Sequence, residues 1–242
     1  MTGSSLLGGS HRIAVIIPCL NEEEVIGVHV SEILTTLQAL GTGAGAAGVI
    51  VVDNGSNDDT AVNAAAAGAR VVSEPRRGYG RACLTGAEAA READILVFMD
   101  GDRSDKPDEI PIILEPLLKC RADLVVGSRM LGSYEPGSLT TAQRFGNWIG
   151  CRALSRFYNV HLTDFGPFRA IRRDELLGLN MQEMTYGWPL EMLARAGRND
   201  LRVINVPVTW RKRAGGKSKV SGDVKASLHT GYRYIRTLYR CR

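Results

Sequence analysis

The sequence contains few residues of the kinds that build disulfide frameworks or zinc sites. Its five cysteines are scattered and form no Cys-x-x-Cys pair, and its four histidines are isolated from one another. Disulfide scaffolds need paired cysteines, and structural zinc sites need clustered cysteine or histidine ligands. We therefore expect a fold that depends on an apolar core, in a reducing compartment.

Long apolar runs are missing as well. No run approaches the ~18 residues of a membrane-spanning helix, and the first residues lack the apolar stretch and cleavage site of a signal peptide. We expect a cytoplasmic protein, and association with the inner face of the membrane stays open as an alternative. The net charge of +4 is too small to indicate nucleic-acid binding. The oligomeric state is not predicted.

Short apolar runs recur along the chain, and each ends in polar residues. They cover residues 13–17, 49–52, 95–99 and 124–126, and predicted helices separate them. Strands that alternate with helices are typical of a parallel sheet with right-handed crossovers. We predict a single α/β domain with a mostly parallel central sheet and flanking helices. The predicted boundaries are a disordered start at 1–11, the domain at 12–219 and a basic amphipathic helix at 220–242.

The run at 95–99 leads into Asp100-Gly101-Asp102, the most informative stretch of the chain. Because the glycine allows a tight turn, both carboxylates can face one hard cation and leave positions for water or diphosphate oxygens. The alternative is an acidic loop that caps the helix predicted from Pro107. A motif this short does not separate the two interpretations.

Other strand ends carry candidates for contacts with a nucleotide. Asp53 is the first residue past the second run, where open parallel sheets place ligand contacts. Arg77 and Gly78 belong to a glycine-spaced basic loop before a predicted helix, which can hold phosphate or form a solvated turn. Arg129 ends the fourth run.

The second half of the chain adds one carboxylate and one dense cationic loop. Glu191 opens a predicted helix, where it either meets the sheet edge or complements the helix dipole. Residues 211–219 follow a strand predicted at 203–210 and contain Arg213, Ser218 and Lys219. Without a recognition helix or an aromatic stacking series, this loop favours an anionic small molecule or a phosphate head group over nucleic acid.

Together these residues resemble glycosyltransferase family 2, and within it the polyprenol-phosphate, dolichol-phosphate mannose synthase-like branch. The resemblance runs from residue 13 to about residue 222, and it depends on the order and spacing of seven motifs. The motifs are Ile17-Pro18-Cys19-Leu20-Asn21-Glu22, Val52-Asp53-Asn54-Gly55-Ser56, Gly78-Tyr79-Gly80, Asp100-Gly101-Asp102-x-Ser104-x-x-Pro107, Gly127-Ser128-Arg129, Asp164 to Arg169, and Arg213-x-x-Gly216-x-Ser218-Lys219.

The resemblance implies a nucleotide-sugar-binding domain of the glycosyltransferase A type that inverts the anomeric configuration. Asp100 and Asp102 would hold Mg²⁺ or Mn²⁺ against the diphosphate of the donor, where the ion neutralises the charge of the leaving group. The nucleoside pocket would be lined by Pro18, Asn21 and Glu22, with Asp53 on the base. Phosphates of the donor or of a lipid acceptor would be held by Arg129, Arg213, Ser218 and Lys219.

The sequence departs from the family pattern at several positions. Asn54 stands where a second aspartate is common, the residues around Ser104 differ, and no membrane-spanning run follows residue 219. Three hypotheses therefore stay open. In the first, the chain transfers a sugar from a UDP-sugar or GDP-sugar to a polyprenyl phosphate. In the second, the acceptor is a soluble hydroxyl and Glu191 is the base. In the third, the chain is a nucleotide-binding module without transfer activity.

Overall fold

The computed structural model describes residues 11–41, 48–215, 234 and 236–241. Most of the start that was predicted to be disordered, at 1–11, lies outside this part of the chain. So do Ser218, Lys219 and most of the helix predicted at 220–242.

One sheet of seven strands forms within the described residues, in the order β3-β2-β1-β4-β6-β5-β7. All of its pairings are parallel except those of β6, which runs antiparallel to both of its neighbours. This confirms the predicted mostly parallel sheet. The strands are β1 (Ile13–Cys19), β2 (Gly48–Asp53), β3 (Arg70–Ser73), β4 (Ile95–Phe98), β5 (Leu124–Tyr134), β6 (Arg169–Arg172) and β7 (Val203–Trp210).

Helices cover both faces of this sheet. They are α1 (Ile26–Ala39), α2 (Thr60–Ala66), α3 (Tyr79–Ala89), α4 (Ile110–Leu118), α5 (Thr141–Tyr158), α6 (Arg173–Gly178) and α7 (Trp188–Arg198), and a 3₁₀ turn at Pro107–Glu109 precedes α4. No helix in the described part of the chain is long and apolar enough to span a bilayer.

Strand β1 lies near the middle of the sheet and divides the core into two layers. Ile13, Val15 and Ile17 pack with residues of α1 and α4, whereas Ala14 and Ile16 pack with residues of α3 and α7. Successive side chains of a strand point to opposite faces, so a strand covered on both sides reads as one continuous apolar run.

The parallel strands bring their carboxyl ends to one edge of the sheet. Cys19 at the end of β1 is in register with Asp53 at the end of β2, and β4 pairs with the other side of β1. The loops that follow these three strands therefore meet, as expected for ligand sites in open α/β sheets. Strand β5 continues past Arg129 to Tyr134.

Candidate active site

The Asp100-Gly101-Asp102 turn is fixed by contacts within its own loop. The Asp102 Oδ1 accepts hydrogen bonds from the backbone N–H of Ser104 at 3.0 Å and from the Ser104 hydroxyl at 2.5 Å. The backbone N–H of Asp100 donates to Asp105 Oδ2 at 3.0 Å. A Cβ on Gly101 would lie 2.7 Å from the Cys19 Sγ, so only glycine fits there. The sequence thus builds a tight acidic turn against the end of β1.

Three carboxylates of this loop crowd one another. Burial, and then the charge of Asp102, raise the pKa of Asp100 above the ordinary carboxyl value. Burial, and then the charge of Asp100, raise the pKa of Asp105 still more clearly. The Oδ1 of Asp105 is buried and has no hydrogen-bond partner among the described residues. Such a site gains stability from added positive charge.

Arg213 supplies part of that charge from the far end of the chain. Its Nη1 donates to both carboxylate oxygens of Glu22, at 2.9 and 3.0 Å, and its Nη2 lies 3.0 Å from Asp102 Oδ2. The guanidinium therefore joins the end of β1 to the acidic turn after β4. These three predicted site residues are brought together.

Asn21 and Asp53 form the neighbouring wall of the site. The backbone N–H of Asn21 donates to the Ser56 hydroxyl at 2.9 Å, and the Asn21 side-chain oxygen accepts from the backbone of Asn57 at 2.9 Å. Asp53 Oδ1 accepts from the backbone N–H of Ser56 at 3.0 Å. These bonds tie the ends of β1 and β2 together beside Pro18, which is in register with Val52.

Asn54, a departure from the family pattern, shapes the glycine-spaced loop. Its amide nitrogen donates to the carbonyls of Glu74 and Arg76, at 2.7 and 2.9 Å, and its oxygen accepts from the N–H of Gly78 at 2.8 Å. An aspartate has no donor for the two carbonyls. Arg77, between these anchored residues, is exposed and free to reach an anion.

Gly78 must be glycine for two independent reasons. Its φ of 150° belongs to the region that side chains rarely adopt, and a Cβ would lie 2.2 Å from the carbonyl oxygen of Met184. The next residue, Tyr79, points its hydroxyl at Asp100 Oδ1 at 3.2 Å and stacks on Tyr186. We did not single out Tyr79 from the sequence, although it lies inside a quoted motif.

Arg129 is held by a fully buried carboxylate, that of Asp164. Asp164, 0% exposed, accepts from the Arg129 backbone N–H at 2.8 Å and from its Nε and Nη2, each at 2.7 Å. The guanidinium also lies over the Trp210 ring, 5.0 Å from its centroid. The pair fixes Arg129 at the same edge of the sheet as the acidic turn.

Glu191 makes contacts of a structural kind. Its carboxylate accepts from the backbone N–H groups of Gln182 at 3.0 Å and Glu183 at 2.7 Å, and from Arg195 at 2.8 Å. The loop that it holds packs on Gly80, because a Cβ there would lie 2.3 Å from the Glu183 carbonyl. A role as base would require these bonds to rearrange.

The donor set suits a hard divalent cation. No group of three or more histidine, cysteine, aspartate or glutamate side chains is arranged for a metal in the described part of the chain. Mg²⁺ nevertheless binds commonly through one or two carboxylates together with substrate phosphates and water. The Asp100 and Asp102 pair, with the crowding and the unpartnered Asp105 oxygen nearby, fits that mode of binding.

Comparisons with known proteins show the family to which the chain belongs. A family model described as glycosyl transferase family 2 matches residues 14–178. An uncharacterized glycosyltransferase of Mycobacterium tuberculosis is 38% identical over 218 residues, which cover 89% of this chain and 93% of that protein. An undecaprenyl-phosphate mannosyltransferase of Micrococcus luteus is 30% identical over 228 residues, which cover 88% of this chain and 89% of that protein.

A solved structure extends the likeness to the fold. Glucosyl-3-phosphoglycerate synthase from Mycobacterium tuberculosis, crystallised with Mn²⁺ and UDP-glucose, is 26% identical in sequence and has a TM-score of 0.70. The match covers 96% of this chain and 79% of that one.

Proposed function

The chain belongs to glycosyl transferase family 2 and is a nucleotide-sugar-dependent glycosyltransferase, and on that premise we propose that it transfers a sugar from a UDP-sugar or GDP-sugar to a polyprenyl phosphate with inversion at the anomeric carbon. Binding of a nucleotide-sugar donor is supported by one observation above all, the crowded Asp100 and Asp102 pair at the carboxyl edge of the sheet. The raised pKa of Asp100, beside Arg213, indicates that the site still favours added positive charge.

In this proposal Asp100 and Asp102 hold Mg²⁺ or Mn²⁺ beside the diphosphate. The bound ion supplies Lewis-acid neutralisation of the charge that develops on the leaving nucleoside diphosphate. Tyr79 orients the Asp100 carboxylate, because its hydroxyl donates to Oδ1. Arg213 contacts Asp102 through one branch of its guanidinium and can exchange that contact for a diphosphate oxygen.

Several other side chains have proposed binding roles. Pro18, Asn21 and Glu22 line the nucleoside pocket with Asp53 on the base. Arg77, beside the anchored Gly78, reaches phosphate. Arg129 contacts the acceptor phosphate through the part of its guanidinium that is not bonded to Asp164. Ser218 and Lys219, which lie outside the described residues, make further phosphate contacts.

The polyprenyl phosphate acceptor is supported by the undecaprenyl-phosphate mannosyltransferase that aligns with most of this chain. An acceptor phosphate is ionised at neutral pH, so its attack on the anomeric carbon needs no general base. This agrees with a Glu191 whose carboxylate is occupied by Gln182, Glu183 and Arg195.

A soluble acceptor is the second candidate. It is favoured by the likeness to glucosyl-3-phosphoglycerate synthase, whose name indicates a small phosphorylated acceptor. If a hydroxyl attacks, a positioned carboxylate must remove its proton. Glu191 stays the predicted base in that case.

We also propose peripheral contact with the membrane and keep the predicted division into a catalytic domain at 12–219 and a terminal helix at 220–242. The described end of the chain packs on the domain. Thr237 is buried, Tyr234 lies edge-on to Phe165, and the Tyr158 hydroxyl donates to the Leu238 carbonyl.

The test is a transfer assay with labelled donors. Purified protein is incubated with UDP-glucose or GDP-mannose, Mn²⁺, and either undecaprenyl phosphate in detergent or 3-phosphoglycerate in buffer. We expect label in the organic phase with one donor, and its loss when Asp102→Asn replaces the wild type. Label confined to the aqueous acceptor would contradict the lipid proposal, and transfer from neither donor to either acceptor would contradict both.

A further inference from the structure

Helix α5 presents large apolar side chains to solvent. Phe145 is 61% exposed, Trp148 57%, Ile149 48% and Phe157 53%. Exposed apolar residues scattered singly need no explanation, whereas a group of them on one element marks an interaction surface. The rings of Phe145 and Trp148 also stack, with centroids 6.0 Å apart.

These residues are not part of the face that holds α5 on the domain. The buried face consists of Asn147, Gly150, Cys151, Leu154 and Tyr158. At about 100° per residue, Phe145 and Ile149 project roughly opposite to that face, and Trp148 lies to one side of it. The helix is therefore already packed on the domain without them.

The same solvent side carries positive charge. Arg144, Arg152 and Arg156 are exposed, and α5 contains no aspartate or glutamate. The Arg152 guanidinium lies 5.6 Å from the centroid of the Trp148 ring, and that of Arg156 lies 5.7 Å from the centroid of the Phe157 ring. Aromatic rings with arginines beside them suit a boundary between water and lipid, where rings enter the apolar side and cations face phosphates.

A pocket of about 650 Å³ adjoins this surface. Arg144, Arg152 and His161 line it together with Trp148 and Ser155, and no aspartate or glutamate among the described residues does. Its basic lining suits a phosphate head group.

We propose that the solvent side of α5, defined by Phe145, Trp148, Ile149, Arg152 and Arg156, docks on the surface of an anionic phospholipid bilayer. Charge complementarity selects this occupant. A second copy of the chain in a two-fold contact would bring two such positively charged surfaces together, which costs stability. The inference deepens the proposed function, since a polyprenyl phosphate would be reached from such a surface, and it rests on that function only for its biological purpose.

Vesicle binding tests the proposal on the full chain. Sedimentation with vesicles of phosphatidylglycerol and phosphatidylcholine is compared with sedimentation with phosphatidylcholine alone. We expect Phe145→Ser with Trp148→Ser to weaken binding to the anionic vesicles by at least about tenfold. Arg152→Gln with Arg156→Gln should weaken it by about fivefold for each arginine, the equivalent of ~1 kcal/mol per charge.

Matched controls test whether the loss of any two exposed apolar or basic side chains has the same effect as changes on α5. Val62→Ser with Leu177→Ser removes two exposed apolar side chains elsewhere, and Arg91→Gln with Arg121→Gln removes two exposed charges. Both controls should bind vesicles like the wild type. Equal binding by the α5 variants and the wild type would overturn the proposal, as would wild-type binding that does not depend on phosphatidylglycerol.

Two further measurements keep its failure distinct from failure of the proposed function. Binding of UDP and GDP with Mn²⁺ reports the donor site, and it should be unchanged in the α5 variants. A blue shift of tryptophan fluorescence on adding anionic vesicles should disappear in Trp148→Phe. A variant that instead turns a dimer into a monomer, with vesicle binding intact, would assign the surface to a second copy and overturn the proposal.

Discussion

Carboxylates at one edge of the sheet differ in how completely they are hydrogen-bonded. Asp164 is buried and receives three hydrogen bonds from Arg129 alone. Asp100 and Asp105 lie in a loop where carboxylates face each other, with raised pKa values and a buried oxygen of Asp105 that lacks a partner in the described part of the chain. We call Asp164 with Arg129 the complete pair, which stabilises the scaffold. We call the carboxylates of the acidic turn the incomplete group, which can gain stability from a bound cation.

The comparison first predicts a large loss of stability when the complete pair is broken. Asp164→Ala leaves the guanidinium of Arg129, 14% exposed, without its partner. We expect the free energy of unfolding to fall by about 3 to 5 kcal/mol, as for other buried pairs that lose one partner. Urea denaturation measures it.

The Arg202 and Asp123 pair provides a matched control. It has the same pattern of one backbone and two guanidinium hydrogen bonds, but the Arg202 side chain is 55% exposed. Asp123→Ala should cost at most about 1 kcal/mol. Equal losses in the two variants would show that burial does not set the value of the Arg129 pair.

The incomplete group should matter more for turnover than for folding. Asp102→Ala is expected to lower kcat/KM by at least about 10²-fold, equivalent to ~2.7 kcal/mol, since even the outer partners of a metal site contribute about 10- to 100-fold. Asp108→Asn, in the same loop but exposed, should be nearly neutral. An active, metal-insensitive Asp102→Ala enzyme would remove the metal role.

Arg213 partly neutralises the acidic turn, because its guanidinium lies 3.0 Å from Asp102 Oδ2. Arg213→Gln should tighten Mn²⁺ binding without nucleotide by about tenfold, the low end of the effect of a nearby charge on a carboxylate. Manganese titration followed by electron paramagnetic resonance measures it. The same variant should bind nucleoside diphosphate more weakly and with less dependence on salt. Unchanged Mn²⁺ affinity would show that Arg213 does not compete with the metal ion for Asp102.

His29, behind the acidic turn on α1, is a second incomplete group. It is buried, neither ring nitrogen has a hydrogen-bond partner among the described residues, and burial lowers its pKa to about 4. Because the unfolded chain binds the proton more tightly, stability is present above about pH 6.5 and is lost as the pH falls toward 4.

In metal-free protein, the wild type should therefore lose roughly 1 kcal/mol more than His29→Gln between about pH 7.5 and about pH 5.5. Urea denaturation at both values checks this smallest effect. His161→Gln, at an exposed histidine, should follow the wild type. The same pH dependence in His29→Gln and the wild type would assign the acid sensitivity to other groups.

The acidic turn and the parallel strands could be predicted because their signals are local. Each apolar run ends in polar residues, and parallel strands place such ends at one edge. Strand β6 could not be found in the same way. Its sequence, Arg169-Ala170-Ile171-Arg172, is short and flanked by charge, and it becomes a strand because Ala170 and Ile171 are buried between β4 and β5.

Contacts between distant residues could not be predicted from patterns. Arg213 reaches Glu22 across 191 positions, and no periodicity encodes that distance. Asn54 looked like a departure from the family pattern, and only the loop geometry explains its amide. Apolar residues lie on more than one side of α5, and a sequence does not say which side faces the domain.

The central claim is that Asp100 and Asp102 hold a divalent ion against a nucleoside diphosphate. Calorimetric titration of UDP and GDP, with Mn²⁺ and with chelator, on the wild type and Asp102→Asn tests it most directly. We predict that one nucleotide binds the wild type in the presence of Mn²⁺ and that chelation or the substitution abolishes this binding. Equal binding with and without the metal, or in the variant, would contradict the claim.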